Sequence, residues 1–148
     1  MFKQEILLKK INSSVVINSF HDENFVRFLI KFQPVKILKW NGINNGEKAL
    51  FKFWLFGWRE MNVVHKNYNL KNNYLSFEDH GIVLPFGLQS WKHTHIIKKV
   101  DKGTLITDII DFDNSSFVKL FLIRPIMLFP IFIRRLTYRV WFFFINNK

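Results

Sequence analysis

Two neighbouring stretches of the chain alternate with a period of two, and the segment between them is only long enough to reverse direction. Ser90-Trp91-Lys92-His93-Thr94-His95-Ile96-Ile97 precedes Asp101-Lys102-Gly103, and Thr104-Leu105-Ile106-Thr107-Asp108-Ile109-Ile110-Asp111-Phe112 follows. Successive side chains of a strand point to opposite faces. Trp91, His93, His95 and Ile97 therefore share one face, and Ile106, Asp108, Ile110 and Phe112 share one face of the next strand. A two- or four-residue turn around Asp101-Lys102 sets His95 opposite Asp108. A three-residue turn with Gly103 left-handed shifts the match by one. Two imidazoles and a carboxylate then stand on an otherwise aromatic and aliphatic wall, which reads as a cavity lining. His93, His95 and Asp108 are its candidate polar anchors for a ligand; Trp91, Ile106, Ile110 and Phe112 are its apolar wall.

Composition narrows the class. The 148 residues suit a single domain, residues 1–148. Apolar residues make up 49% and aromatic ones 18%, with 18 Phe, which excludes a disordered chain and suits a core built round a cavity or a greasy surface. There is no cysteine, so disulfides and thiolate metal sites are excluded. Met1-Phe2-Lys3-Gln4-Glu5 carries an early acid and no long apolar run, unlike a signal peptide, and a cytoplasmic location is the default expectation. The net charge of +11 suggests nucleic acid, but Lys outnumbers Arg 16 to 6 and Asn occurs 14 times. That bias toward A/T-rich codons makes much of the lysine background rather than a phosphate footprint. The tail is different: after Asp113 there is no acid, while Lys119, Arg124, Arg134, Arg135, Arg139 and Lys148 remain.

Along the chain, residues 3–12 read as a first strand and Val15–Phe20 as a short helical turn. Asp22 is a good N-cap for a second helix carrying Phe25, Phe28, Leu29 and Phe32, which Pro34 stops. Strands are predicted at Val35–Trp40, Lys48–Trp58, Arg59–His65, Tyr74–Asp79, Ser90–Val100 and Thr104–Phe112, with loops rich in Asn, Gly and Asp. Ser115-Ser116 can cap a helix through Phe117–Phe144, which Pro125 and Pro130 should kink or divide. The longest stretch there without Lys or Arg, Pro125–Ile133, is far below the roughly 18 residues of a membrane span. The expected class is α+β: a curved antiparallel sheet of about seven strands around a long C-terminal helix.

This pattern resembles the START/SRPBCC superfamily, the helix-grip fold shared with the birch-pollen allergen, and within it the small bacterial ligand-binding proteins. The resemblance rests on Pro34-Val35-Lys36-Ile37-Leu38, Asp79-His80-Gly81 with Leu84-Pro85-Phe86, Trp91-Lys92-His93-Thr94-His95, Gly103-Thr104 with Asp108, and Arg134-Arg135 with Tyr138-Arg139. It implies the fold and a cavity between sheet and helix, but no reaction, because the superfamily includes binders, transporters and enzymes.

Several sharper readings compete with plain ones. His93 and His95 could converge on a metal ion with Asp108 or His65 as third ligand. With no further ligand marked by spacing, pocket-wall histidines hydrogen-bonded to neighbours are preferred, and neither metal nor cofactor is expected. Asp108 could orient His95 as a general base in a cyclase- or hydrolase-like enzyme, but no nucleophile is recognisable. Phe51, Phe53, Trp54, Phe56 and Trp58 could stack bases, yet such runs more often fill a core, so nucleic acid is not the expected partner. The basic, aromatic tail could rest on an anionic membrane surface. The preferred reading is a protein that binds, sequesters or transfers a small lipid- or isoprenoid-like ligand.

Overall fold

The computed structural model describes residues 1–148. Strand β1 (Phe2–Lys9) leads into helices α1 (Ser13–Phe20) and α2 (Glu23–Ile30). Six strands follow: β2 (Val35–Trp40), β3 (Lys48–Trp54), β4 (Trp58–Lys71), β5 (Tyr74–Val83), β6 (Leu88–Val100) and β7 (Gly103–Asn114). The last element is helix α3 (Phe117–Asn146). All seven strands form one antiparallel sheet in the order β1-β7-β6-β5-β4-β3-β2. The first strand therefore returns to pair with the last, and α1 and α2 carry the chain across to the opposite edge.

Local chemistry accounts for the helix starts. The side chains of Asn12, Asp22 and Ser116 accept hydrogen bonds from the first-turn amides of Ser14, Asn24 and Lys119, capping α1, α2 and α3. The turn between β6 and β7 has two residues, Asp101 and Lys102, since Val100 pairs with Gly103. That length gives the pairs Trp91–Phe112, His93–Ile110, His95–Asp108 and Ile97–Ile106.

Several elements differ from the sequence reading, among them β1, which ends at Lys9 rather than residue 12, and β5, which runs past Asp79 to Val83. The strand expected over Lys48–Trp58 ends at Trp54 and reverses through Leu55, Phe56 and Gly57, so that Trp54 pairs with Trp58. Phe56 and Gly57 both have positive φ there, outside the extended region, which turns the chain back on itself. β4 continues to Lys71 through an irregular pairing at Asn67, which is also left-handed. Helix α3 is continuous across Pro125 and Pro130 rather than divided. Pro125 removes the amide that would bond the carbonyl of Phe121, an exposed residue whose carbonyl water can satisfy.

Two apolar clusters fill the space between sheet and helices. One joins Ile6, Leu75, Phe77, Ile97 and Ile106 of the sheet to α1, α2 and the end of α3 through Phe20, Phe25, Tyr138 and Phe142. The other joins Ala49, Val63, Trp91 and Ile110 to Ile123, Met127 and Ile131 of α3. Buried α3 positions 123, 127, 131, 138 and 142 recur at near-helical spacing and define the stripe laid on the sheet. A layer of polar side chains accompanies these clusters: His65 on β4, Asp79 on β5, His93 and His95 on β6, Asp108 on β7 and Arg134 on α3.

Candidate functional site

This polar layer is a connected network of buried ionisable side chains. Asp108, fully buried on β7, accepts from His93 Nε2 at 2.9 Å and from Gln4 Nε2 at 3.0 Å. Tyr138 Oη donates to it at 3.5 Å, and an Arg134 guanidinium nitrogen lies 3.9 Å away. Asp79 binds His65 Nδ1 through Oδ1 at 2.8 Å and His95 Nε2 through Oδ2 at 3.0 Å. The imidazoles of His93 and His95 lie side by side, ring centres 3.7 Å apart, between the two carboxylates. Gln4 also ties the layer to the helix: it donates to the carbonyl of Ile131 at 2.7 Å and accepts from Arg135 Nε at 3.1 Å.

The charges follow from these contacts. Burial opposes ionisation of Asp79, but His95 and His65 outweigh it and hold the carboxyl well below its ordinary range. Burial likewise opposes ionisation of Asp108, outweighed by the hydrogen bond from His93, the close approach of His95 at 3.4 Å and the charge of Arg134. For His93, burial and the neighbouring charge of His95 lower the pKa to about 4, so the ring is neutral at pH 7. His95 is also buried, yet Asp79 and Asp108 together raise its pKa. Two carboxylates thus lie against the Arg134 guanidinium and against imidazole N–H donors within the layer, which is how charged groups are tolerated in an interior.

A cavity of about 500 Å³ opens beside this layer, between α3 and the sheet. Its walls are largely apolar: Val35, Phe51, Phe53, Met61, Val63 and Trp91 from the sheet, Ile126, Met127, Phe129 and Ile131 from α3. Asp79, His93 and Arg134 supply its charged and polar inner end. Of the residues singled out in the sequence, Trp91 and His93 line the cavity. His95 and Asp108 are buried against His93 and do not line the cavity. Ile106 belongs to the cluster under α1 and α2, Ile110 packs in the other cluster, and Phe112 stacks on Trp91 with centroids 5.6 Å apart. The segment from Gly81 to Phe86 does not reach the cavity wall.

The sequence reading missed Asp79, Arg134 and Gln4 as site residues. Asp79 had a signal: it shares the face of Leu75 and Phe77, so it is an acid at an inward position of an apolar strand face. Arg134 was counted among basic tail residues, but its side chain turns inward and is only 19% exposed. No strand period reports which helical residue meets a given strand.

Neither a protein-family model nor a curated protein matches the sequence. Solved structures do match in shape. Ara h 8.0201 superposes with a TM-score of 0.53 at 14% identity, covering 94% of this chain and 96% of that one. The major latex-like protein 151 of Panax ginseng gives 0.54 at 11% identity, covering 93% and 95%. A nucleoside-diphosphate sugar epimerase of Corynebacterium glutamicum gives 0.56 at 19% identity over 78% of this chain, which spans only 25% of the epimerase. With its seven-stranded antiparallel sheet closed round a long C-terminal helix, the chain has a helix-grip fold, shared with Ara h 8.0201 and the ginseng protein.

Proposed function

We propose that this protein binds a small, mainly apolar ligand in the cavity between sheet and α3, to sequester or transfer it. The cavity itself carries the reading. Its volume of about 500 Å³ lies within the roughly 300–1,000 Å³ of small-molecule sites, and such sites combine apolar walls with a few polar groups that set orientation. Here those groups are Asp79, His93 and Arg134, all at one end. A lipid- or isoprenoid-like molecule with one polar terminus fits that division: the chain lies among Phe51, Met61 and Met127, and the terminus meets Arg134 and His93.

Titration of the delipidated protein with a naphthalene sulfonate dye, and displacement of that dye by a long-chain fatty acid, tests the proposal. Wild-type protein should bind one dye molecule that the fatty acid displaces. Met127→Trp, which places an indole in the cavity, should weaken binding by tenfold or more while the protein stays folded. Equal binding by both proteins would refute the cavity as the site.

A second reading, contact with an anionic membrane surface, is favoured by the outer side of α3. Phe117, Phe121, Leu122, Phe132 and Leu136 are all more than half exposed, interspersed with exposed Lys119 and Arg124. A carrier of apolar cargo would use such a face to collect or deliver it.

A further inference from the structure

We propose that Asp79, His93 and His95 form a binding site for one divalent first-row transition ion such as Zn²⁺ or Fe²⁺, at the inner end of the cavity. The three offer Oδ2, Nδ1 and Nε2, and these atoms lie within 4.8 Å of one another. His95 Nε2 is 3.0 Å and His93 Nδ1 is 3.6 Å from the same Asp79 oxygen. Ligand atoms about 2.1 Å from a common ion stand about 3.0–3.4 Å apart in octahedral or tetrahedral geometry. Two edges of the triad are therefore close to coordinating spacing, and the third lies within 4.8 Å, which rotation of the side chains has to close.

The surroundings orient each donor atom. His93 directs Nε2–H to Asp108 at 2.9 Å, which leaves the Nδ1 lone pair facing the Asp79 carboxylate, two electron-rich atoms turned toward each other. A cation between them resolves that opposition. His95 Nδ1, buried and without a hydrogen bond, stands 3.4 Å from the same Asp108 oxygen. A small rotation as Nε2 takes the ion would let Nδ1–H donate there. One carboxylate would then orient both imidazoles, while His65 Nδ1 holds the other oxygen of Asp79 at 2.8 Å. Such outer partners characterise ligating histidines and carboxylates.

The donor set selects the ion class. Two imidazoles with one carboxylate suit zinc, iron, cobalt or nickel, whereas magnesium and calcium prefer oxygen alone. When the ion binds, the proton on His95 Nε2 gives way to it, leaving to solvent from a charged ring or passing to Nδ1 in a neutral one, and the ion becomes a counter-charge of the carboxylates. Asp79 and His93 line the cavity, so coordination positions not taken by the triad would face it. The site does not depend on the apolar-ligand reading. If both hold, the ion would meet the polar terminus of the cargo.

The full chain, treated with chelator and dialysed, should take up one Co²⁺ per molecule with visible d–d bands of a low-symmetry centre, and Zn²⁺ should displace it. Asp79→Asn, nearly isosteric, should weaken uptake at least a hundredfold, and Asp108→Asn ten- to a hundredfold through loss of imidazole orientation. His21→Gln and His80→Gln, at histidines outside the triad, should leave uptake unchanged. Circular dichroism identifies any variant that fails to fold, and the wild-type titration is decisive without the variants. Wild-type protein binding no stoichiometric Co²⁺, or folded Asp79→Asn binding it as tightly, would overturn the site.

Discussion

His95 and Asp108 are direct cross-strand partners, yet each makes its short hydrogen bond with another residue: His95 with Asp79 at 3.0 Å, and Asp108 with His93 at 2.9 Å. Their own approach is 3.4 Å. Pairing in the sheet aligns backbones, and the side chains then divide among neighbours on three strands. Loss of one member consequently disturbs several contacts.

Asp108 is the member with most to lose. Asp108→Ala would leave His93 Nε2–H and one N–H of Gln4 Nε2 without an acceptor and remove the carboxylate 3.9 Å from Arg134. Breaking a buried ion pair by removing one partner costs about 3–5 kcal/mol. Urea denaturation should show a loss of that order. Asp111→Ala, exposed on the same strand, should stay within about 0.5 kcal/mol. Equal effects would mean that the network does not stabilise the fold.

Stability should fall as pH is lowered from about 6.5 toward 4, before the buried carboxylates titrate. His93 has a pKa of about 4 when folded and about 6.5 when unfolded, so below 6.5 the unfolded chain binds the extra proton. That contribution is complete above 6.5, and about 3 kcal/mol of it is lost by pH 4. The raised pKa of His95 acts the other way round: its contribution is fully present below 6.5 and is lost only as pH rises. Denaturation midpoints in chelator-containing buffers at pH 7, 5.5 and 4.5 measure the slope. His93→Gln should flatten it, and a wild-type profile flat over this range would refute the assignment.

Gly103 closes the β6–β7 turn at a point where β1 passes close by. Its φ is +141°, and a Cβ added there would lie 2.1 Å from the Leu8 carbonyl oxygen and 2.8 Å from the Lys10 amide nitrogen, both backbone atoms. Gly103→Ala should therefore cost at least about 2 kcal/mol and weaken the β1–β7 pairing, visible as faster amide exchange in Phe2–Lys9. Gly46→Ala is the comparison, since it too has positive φ but open space around the added carbon. It should cost about 1 kcal/mol.

Flotation with liposomes should recover the protein with vesicles containing anionic lipid and much less with neutral ones. The exposed apolar residues of α3 supply insertion, and Lys119, Arg124 and Arg139, all solvent-facing, supply attraction. Phe121→Asp with Leu136→Asp, both exposed and outside the cavity wall, should abolish recovery while leaving dye binding in the cavity intact. Equal recovery from both vesicle types would leave the basic tail as ordinary solvated surface.

Much of this molecule is decided locally. Period-two alternation in Ser90–Val100 and Thr104–Phe112 sets which side chains share a face, and the two residues Asp101 and Lys102 set the register that brings His95 to Asp108. Asp22 and Ser116 mark helix starts because their side chains satisfy amides only a few residues away. These effects depend on neighbours in the chain, so the sequence by itself determines them. Only the tertiary structure decided that the imidazoles serve Asp79 as well as Asp108, that Arg134 turns inward, and that the cavity lies toward Trp91 and Met127 rather than Ile106. Those outcomes depend on where α3 lies across the sheet and on which strands become neighbours. Packing volumes summed over the whole chain set that placement, and no local period records it.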